Sequence, residues 1–154
     1  MSGFNAVINP KQSGWYFYKL RTICNDLEYV DYKGMKSKNY FFKDYPTYLS
    51  QYKAAIAATT FYPTQKYWEI PAAGCLTFME ITDINDGKIL GFTDNENSIF
   101  INEKNYKNKF EEFLNDSNNS KWAEIADSGK QFVIKNYTND NATNSLIEIM
   151  DKLI

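Results

Sequence analysis

The sequence contains no histidine, which removes the most common general base and the most common zinc ligand of proteins. Only two cysteines are present, Cys24 and Cys75, and their wide separation forms no CxxC pair. We therefore expect no metal cofactor. Both cysteines lie in apolar surroundings, which favours two small core residues, with a disulfide between them as the alternative.

Long apolar runs are also missing. No stretch of about 18 apolar residues could span a membrane, and the N-terminus lacks the apolar region of about 7–15 residues that a signal peptide needs. These two absences predict a cytoplasmic protein.

Concentrated positive charge is equally absent. The formal net charge is −2, and the basic residues are scattered apart from a short cluster at Lys33, Lys36 and Lys38. We interpret that cluster as a solvated loop. Because binding to a phosphate backbone needs a concentrated positive face, we expect no nucleic-acid partner.

What is present fits one globular domain, predicted to span residues 1–154, with 44% hydrophobic and 23% charged residues. Strand-like apolar segments alternate with segments of helical periodicity, which indicates an α/β fold. We predict a Rossmann-like, open and mainly parallel sheet flanked by helices, with a helical C-terminal tail. The predicted strands are 5–9, 27–32, 54–61, 75–81 and 98–102. Helices are predicted over about 15–26, 46–53 and 64–73.

Three further helices follow from apolar stripes at helical spacing, around residues 106–114, 122–133 and 146–153. Each stripe is expected to contact the core rather than a cofactor.

The segment YPTQKYWE follows the buried strand 54–61, and ligands of open α/β sheets bind where helices begin after such strands. Thr64 is a suitable N-cap, which would leave the amides of Gln65 and Lys66 available to an anion. Lys66 adds a positive charge in the same turn. Glu69, one turn further on, suits the hydroxyls of a ribose better than a phosphate. A phosphate at the helix start and a diol one turn away together describe a nucleotide.

The residues after Glu69 are expected to end the helix. Pro71 removes a helical hydrogen bond, so the helix should kink or stop there. Gly74 then allows either a reversal into the next strand or a close approach of the backbone to a ligand. The alternative is that Glu69 is an exposed helix residue and IPAAG a packed turn.

Three segments resemble a known family. KYWEIPAAGCLTFME is similar to the R-x-F-E-I-P-A-C-G signature of spore-maturation-type glycosyltransferases, which are close to the large group-one family. ILGFTDNENSIFI resembles the loop and strand that follow this signature. WAEIADSGKQFVIKNYT resembles the later IA-x-x-G-x-x-x-V-x-x-x-H-T helix, with five positions in register: Ile125, Ala126, Gly129, Val133 and Thr138.

The resemblance implies the C-terminal, donor-binding half of a two-domain GT-B enzyme, covering about residues 52–154. Its partner molecule would be a nucleoside-diphosphate sugar. The resemblance assigns Glu69 to the donor ribose, Lys66 to the diphosphate, and the backbone near Gly74 to closing the pocket. A second phosphate contact is assigned to the first loop, with Lys11, Ser13 and Gly14.

The sequence departs from the family at several points. A second Glu found in related retaining enzymes is replaced by Phe61, and the family's histidine by Tyr137. The single arginine, Arg21, fits either a structural role or the same cleft. A GT-B enzyme is about twice as long, so we expect an N-terminal acceptor domain or a partner chain to complete it.

Two interpretations of function therefore stand. The first is the donor half of a glycosyltransferase, and the second is a degenerate, non-catalytic module that binds a nucleotide or a protein. A flavodoxin-like regulator is disfavoured because the first strand is not followed by clustered acidic residues.

Overall fold

The computed structural model describes residues 17–32, 45–85 and 87–153. The described elements are, in chain order, α1 Lys19–Asn25, α2 Tyr45–Leu49, β1 Ala54–Ala57, α3 Lys66–Ala72, β2 Leu76–Glu80, a 3₁₀ helix Gly87–Leu90, β3 Ile99–Ile101, α4 Tyr106–Asn115, α5 Ser120–Asn136 and α6 Asn139–Asp151.

The three described strands form one parallel sheet in the order β1-β2-β3. Ala54 pairs with Leu76 across the first pair of strands, and Phe78 pairs with Ile99 across the second. Parallel strands require crossover connections, and α3 supplies the helix of the first one. This arrangement confirms the predicted Rossmann-like α/β sheet, with the last three of the five predicted strands near the positions that the apolar runs indicated.

Every residue of β2 is buried, because helices cover the sheet on both faces. Successive side chains of a strand point to opposite faces. Leu76 and Phe78 therefore belong to one cluster, the first core, with Leu20, Cys24, Ile99, Ile101, Tyr106, Phe110, Trp122, Ile125 and Ala126. Met79 belongs to the second core, with Leu49, Ala57, Tyr67, Ile70, Cys75, Phe92 and Val133.

The strand predicted over 27–32 is wrong. The residues after α1 form turns, in which the Val30 N–H donates to the Leu27 carbonyl at 3.0 Å. The Tyr29 ring instead packs edge-on against the Phe110 ring, with the ring centres 6.3 Å apart. Tyr29 therefore contributes to side-chain packing and not to a strand. The helix predicted over 46–53 stops at Leu49. The predicted strand 5–9 lies outside the described residues.

The C-terminal helix α6 is confirmed as a helix but not as a core element. Thr138 caps it, with its hydroxyl oxygen accepting from the Asn141 N–H at 3.2 Å. None of its residues is buried. The expected core contacts of this stripe are therefore wrong, since its apolar members are exposed: Leu146, Ile147, Met150 and Leu153. The stripes of α4 and α5 do contribute buried residues, as expected.

Among the described helices, none has both the length and the apolar character needed to cross a bilayer.

Both cysteines are free and buried, which decides against a disulfide between them. Cys24 lies in the first core and Cys75 in the second, on opposite faces of the sheet. Burial raises the pKa of the Cys24 thiol to about 12, with a further contribution from the charge of Glu80. Burial alone raises the pKa of the Cys75 thiol to about 11. Neither thiol is therefore a reactive thiolate at neutral pH.

Gly129 lets α5 pass close to the loop before β3. A Cβ atom at this position would lie 2.4 Å from the carbonyl oxygen of Asn97 and 3.5 Å from the Cβ of Pro71. The first distance is a clash with backbone, which a side-chain rotation cannot relieve. This contact explains physically why a glycine occupies the position.

The substitution Gly129→Ala is expected to lower the free energy of unfolding by about 1–3 kcal/mol, the usual cost of overpacking. The cost should appear although alanine favours a helix by about 1 kcal/mol over glycine. Urea denaturation measures it. Ser128→Ala, at an exposed neighbouring position of the same helix, is the control and should be neutral or slightly stabilising. A Gly129→Ala protein as stable as the wild type would contradict the close contact.

Candidate functional site

The first turn of α3 is fixed to the carboxyl end of β2 through a buried tyrosine. The Tyr67 hydroxyl donates to the carbonyl of Glu80, the last residue of β2, at 2.7 Å. The Thr59 hydroxyl, just beyond β1, lies 3.4 Å from the same phenol oxygen. Burial raises the pKa of the Tyr67 phenol, so it remains a neutral donor at any working pH. This contact places the start of α3 at the edge of the sheet where ligands of such folds bind.

Asn85 ties together the loops at the same edge. Its side-chain N–H groups lie 3.0 Å from the carbonyl of Thr59, 2.7 Å from the carbonyl of Glu80 and 3.3 Å from the Tyr67 hydroxyl. Its side-chain oxygen accepts from the backbone N–H groups of Thr82 at 3.1 Å and Gly87 at 3.0 Å. This residue is 3% exposed, so a buried side chain sets the geometry of the edge. No local sequence pattern pointed to Asn85.

Lys66 lies at the start of α3 and is already oriented by α2. Its ammonium group donates to the Tyr45 hydroxyl at 2.7 Å and lies 5.0 Å from the centre of the Tyr45 ring. An ammonium group has three N–H donors, so this contact leaves donors for a ligand.

Glu69 follows Lys66 by three residues, so the two side chains share one face of α3. Glu69 is partly buried, and among the described residues none donates a hydrogen bond to its carboxylate. The alternative of an exposed helix residue therefore does not describe it. A partly buried carboxylate with open acceptor positions is suited to a ligand that brings hydroxyl donors.

The predicted capping role of Thr64 is wrong. The helix begins one residue later, with Gln65 as the N-cap, and the Gln65 side chain makes no capping bond. Thr64 contributes its carbonyl instead, which accepts from the Tyr67 N–H at 2.9 Å. Within the described part of the chain, no acceptor is assigned to the backbone N–H of Gln65 or Lys66.

Gly74 reverses the chain, as expected, but does so away from Lys66. Its φ of +82° is in the left-handed region that favours glycine. It precedes the first residue of β2, at the opposite end of the strand from Glu80. A Cβ atom there would be in ordinary contact with Lys130, 3.8 Å away, so close packing is not the reason for the glycine. The structure does not bring Gly74 together with Lys66, while the helix does end next to Pro71, at Ala72, as predicted.

Other positions named from the sequence have structural partners. The Phe61 ring packs on Phe17 at 4.7 Å, so no carboxylate replaces the missing Glu there. The Tyr137 hydroxyl donates to the Leu90 carbonyl at 2.6 Å. The Arg21 guanidinium lies 4.1 Å from the centre of the Tyr18 ring on its own helix turn. Three predicted phosphate contacts lie outside the described residues: Lys11, Ser13 and Gly14.

A cleft of about 460 Å³ lies at the carboxyl ends of β2 and β3 and is called here the carboxyl-end cleft. The cleft was not predicted from the sequence, although its residues lie at or after the ends of two predicted strands. Neither Lys66 nor Glu69 lines it. The lining residues are Ile81, Thr82, Asp83, Lys88, Phe100, Ile101 and Asn102.

Glu80 is a buried carboxyl group that the sequence analysis also missed. It is 1% exposed, and no partner for its Oε2 atom occurs among the described residues. Loss of hydration, together with the charge of Glu103, raises the pKa of Glu80 to about 7. Glu103 itself pairs with Lys19 at 2.6 Å. In the described ranges, no three His, Cys, Asp or Glu side chains are grouped so that they could hold a metal ion.

Comparison with known proteins gives one match. A model of a family described as glycosyl transferase-like matches residues 13–148, which is most of the chain. No curated protein and no solved structure gives a significant match. The family match covers the parallel sheet, α3 and the helix with Gly129. The chain therefore belongs to the glycosyl transferase-like family, as a glycosyltransferase domain of the GT-B type.

Proposed function

We propose that this domain binds the nucleoside-diphosphate sugar from which a glycosyltransferase takes its sugar. The observation that carries the proposal is the placement of Lys66 and Glu69 on one face of α3, at the carboxyl edge of the sheet. Membership of a glycosyl transferase-like family supports the class of reaction. The acceptor would be presented by an N-terminal domain or a partner chain.

The chemistry of the two side chains suggests which part of the ligand each one would bind. The Glu69 carboxylate would accept hydrogen bonds from both hydroxyls of the ribose, since a carboxylate has two oxygens and no donor. The Lys66 ammonium would face the diphosphate, with the N–H groups of Gln65 and Lys66 as additional donors. Thr64 would contribute only through the carbonyl that closes this turn. Tyr45 would hold the ammonium in place without neutralising it, because the phenol is uncharged.

In the transfer step, the diphosphate leaves the anomeric carbon of the sugar as the acceptor oxygen attacks. The leaving oxygen gains negative charge, which Lys66 would stabilise more strongly in the transition state than in the bound donor. The proton of the attacking acceptor hydroxyl would pass to a base contributed by the N-terminal domain or partner chain that presents the acceptor. Because nucleotide sugars are the donor, we place the reaction in the cytoplasm.

A second candidate is a non-catalytic module that binds the nucleotide only. The packing of Phe61 on Phe17 favours it, because a carboxylate that related enzymes use is replaced by an aromatic contact. The two candidates differ in whether the bound donor loses its sugar. Incubation of a nucleoside-diphosphate sugar with this domain together with the acceptor-presenting domain or partner chain, followed by detection of released nucleoside diphosphate, distinguishes them.

Nucleoside diphosphates are expected to raise the melting temperature of the protein. Ligand at about 100 times its dissociation constant adds about 2.7 kcal/mol to stability, which for a chain of this length is roughly 5–10 °C. Thermal-shift measurements with UDP, GDP and ADP test this. If none of the three stabilises the wild type, the donor site is excluded.

The proposed contact between Glu69 and the ribose is tested by removing each side of it in turn. A variant removes the carboxylate, and a modified ligand removes the two ribose hydroxyls. Glu69→Gln and a 2′,3′-dideoxynucleoside diphosphate should each reduce the shift, and combining them should cost little more than either change alone. Glu124→Gln, at an exposed position of α5, is the matched control. Additive losses would show that Glu69 does not contact the diol.

A further inference from the structure

The carboxyl group of Glu80 is buried beneath α1, on the opposite face of the sheet from α3. Successive residues of a strand point to opposite faces, so the Glu80 side chain shares the face of Leu76 and Phe78, which is that of the first core. Cys24 of α1 belongs to the same core, and its thiol pKa is raised by burial and then by the charge of Glu80. Glu80 and α1 are therefore neighbours on this face.

A negative charge on Glu80 is poorly compensated while α1 covers it. The residue is 1% exposed, and within the described part of the chain its Oε2 atom has no hydrogen-bond partner. Burying an unpaired carboxylate costs far more than burying a protonated carboxyl group. The closed position of α1 therefore favours the protonated form of Glu80, and hydration after α1 opens favours the charged form.

The charged groups beside Glu80 add to this cost. Glu103, in the turn between β3 and α4, repels a negative charge on Glu80, and burial and this repulsion together raise the pKa of Glu80 to about 7. Lys19 of α1 donates to the Glu103 carboxylate at 2.6 Å, so its positive charge is directed to Glu103 and not to Glu80. This ion pair is partly exposed, and such pairs contribute little to stability.

The other titratable groups near Glu80 stay neutral. Burial raises the pKa of the Cys24 thiol on α1 and that of the Tyr67 phenol on α3. Among the first-core residues that α4 and α5 contribute, Tyr106 is the one titratable side chain, and the rest are apolar or tryptophan. The charge state of Glu80 is therefore the variable that changes on this face near neutral pH.

α1 is a short helix with a small buried surface. Two of its seven residues are buried, Leu20 and Cys24. Directly before the helix, the Phe17 carbonyl accepts from the Thr60 N–H at 2.9 Å, which joins the start of α1 to the loop after β1. Elements with few buried apolar contacts open locally at a lower cost than the core of a protein. α1 is therefore suited to move when the free energy of its packing changes.

We propose that Glu80, repelled by Glu103, is a pH-sensitive latch: α1 stays closed over the sheet while Glu80 holds its proton, and opens once that proton is released to water. The closed position is fully stabilised below about pH 4.5, loses stability as pH rises to about 7, and changes no further above it. Because Phe17 is joined to Thr60, opening also frees the chain at the carboxyl edge. The latch goes beyond the proposed function and does not depend on it.

Hydrogen–deuterium exchange measured by NMR at pH 5 and pH 8, with each rate divided by the intrinsic rate at that pH, tests the latch. Protection of the α1 amides is expected to fall at least about tenfold from pH 5 to pH 8, since one unit of difference in pKa corresponds to a factor of ten. Glu80→Gln cannot ionise and should abolish this fall. The exposed helix α6 is the internal reference, and its protection should be equal at both pH values.

Glu103→Gln tests the repulsion separately from the ion pair. Loss of the ion pair lowers α1 protection equally at both pH values, whereas loss of the repulsion makes the fall between pH 5 and pH 8 smaller. We expect the smaller fall. Glu112→Gln is the matched control, because it breaks a similarly exposed ion pair with Lys121 and should leave α1 protection unchanged.

Four results would overturn the latch. The first is α1 protection that does not change with pH, and the second is a fall that Glu80→Gln retains. The third is a fall that Glu103→Gln leaves at full size. The fourth is α1 protection equal to that of β2 at both pH values, which would mean that α1 opens only when the whole domain unfolds.

Discussion

Replacing Asn85 by alanine is expected to lower the free energy of unfolding by about 3 kcal/mol. Asn85 satisfies the carbonyls of Thr59 and Glu80 and the backbone N–H groups of Thr82 and Gly87, and so joins the end of β1 to residues 80–87. Removing a partner from a buried polar group costs about 1–3 kcal/mol, and water entering the loop recovers part of this. The loss is therefore larger than for a typical surface substitution, and urea denaturation measures it.

A second substitution at this position separates hydrogen bonding from packing, and an exposed asparagine provides the control. Asn85→Asp keeps the shape and the acceptor for Thr82 and Gly87, but it points an oxygen at the carbonyls of Thr59 and Glu80. We expect it to be about as destabilising as the alanine variant. Asn108→Ala, at an exposed position of α4, should change stability by less than about 0.5 kcal/mol. A loss below about 1 kcal/mol for Asn85→Ala would show that these hydrogen bonds do not hold the edge together.

Replacing Glu80 by glutamine is expected to stabilise the protein at pH 8 by about 3 kcal/mol. Its pKa rises from an ordinary 4.5 to about 7 in the folded protein. Between these two values the folded state binds the proton more tightly than the unfolded state, so stability falls as pH rises from about 4.5 to 7 and is constant above. A shift of this size corresponds to about 3 kcal/mol, at about 1.4 kcal/mol per pH unit.

The informative measurement is how the difference in free energy of unfolding between the wild type and Glu80→Gln changes with pH. Glutamine keeps the size of the side chain but cannot ionise, so the two stabilities should approach each other near pH 4.5 and separate toward pH 7. The charged groups near Glu80 are Glu103 and its partner Lys19. The Cys24 thiol and the Tyr67 phenol also lie near it, and both stay neutral because burial raises their pKa values. Glu124→Gln should follow the wild type at every pH. A difference that does not change with pH would mean that Glu80 titrates normally.

The sequence predicted best those elements whose formation depends on local pattern. β2 was predicted as a strand from its apolar run and is buried at every residue, and α5 was predicted from the spacing of Trp122, Ile125 and Val133. Residues 27–32 have strand-like composition, but no pattern could show that the chain turns directly after α1. The apolar stripe of α6 is equally regular, yet a stripe cannot reveal whether another element packs on it.

The candidate site was predictable only for those residues that lie close together in one segment of the sequence. Lys66 and Glu69 are three residues apart, so their shared face follows from helix geometry. Gly74 is also close in sequence, but the seven residues of α3 separate it from the start of that helix. Gly74 therefore lies at the opposite end of β2 from Glu80. Asn85 depends on contacts between segments far apart in sequence. The sequence places Asp83, Lys88 and Asn102 after predicted strands. It could not show that they line one cleft, because that depends on β2 and β3 being neighbours in the sheet.

The burial of one free cysteine on each face of the sheet has a practical consequence. A maleimide reacts with a thiol only after the surrounding structure opens, since both thiols are inaccessible and un-ionised when the protein is folded. Cys24 lies on the inner face of α1 and is buried in the first core. The Cys75 sulfur instead contacts the Leu49 carbonyl of α2 at 2.8 Å. Unequal labelling rates would show that the two layers of helices detach independently, and equal rates that they open in one cooperative event. The natural chain thus carries a separate chemical reporter for each side of its sheet.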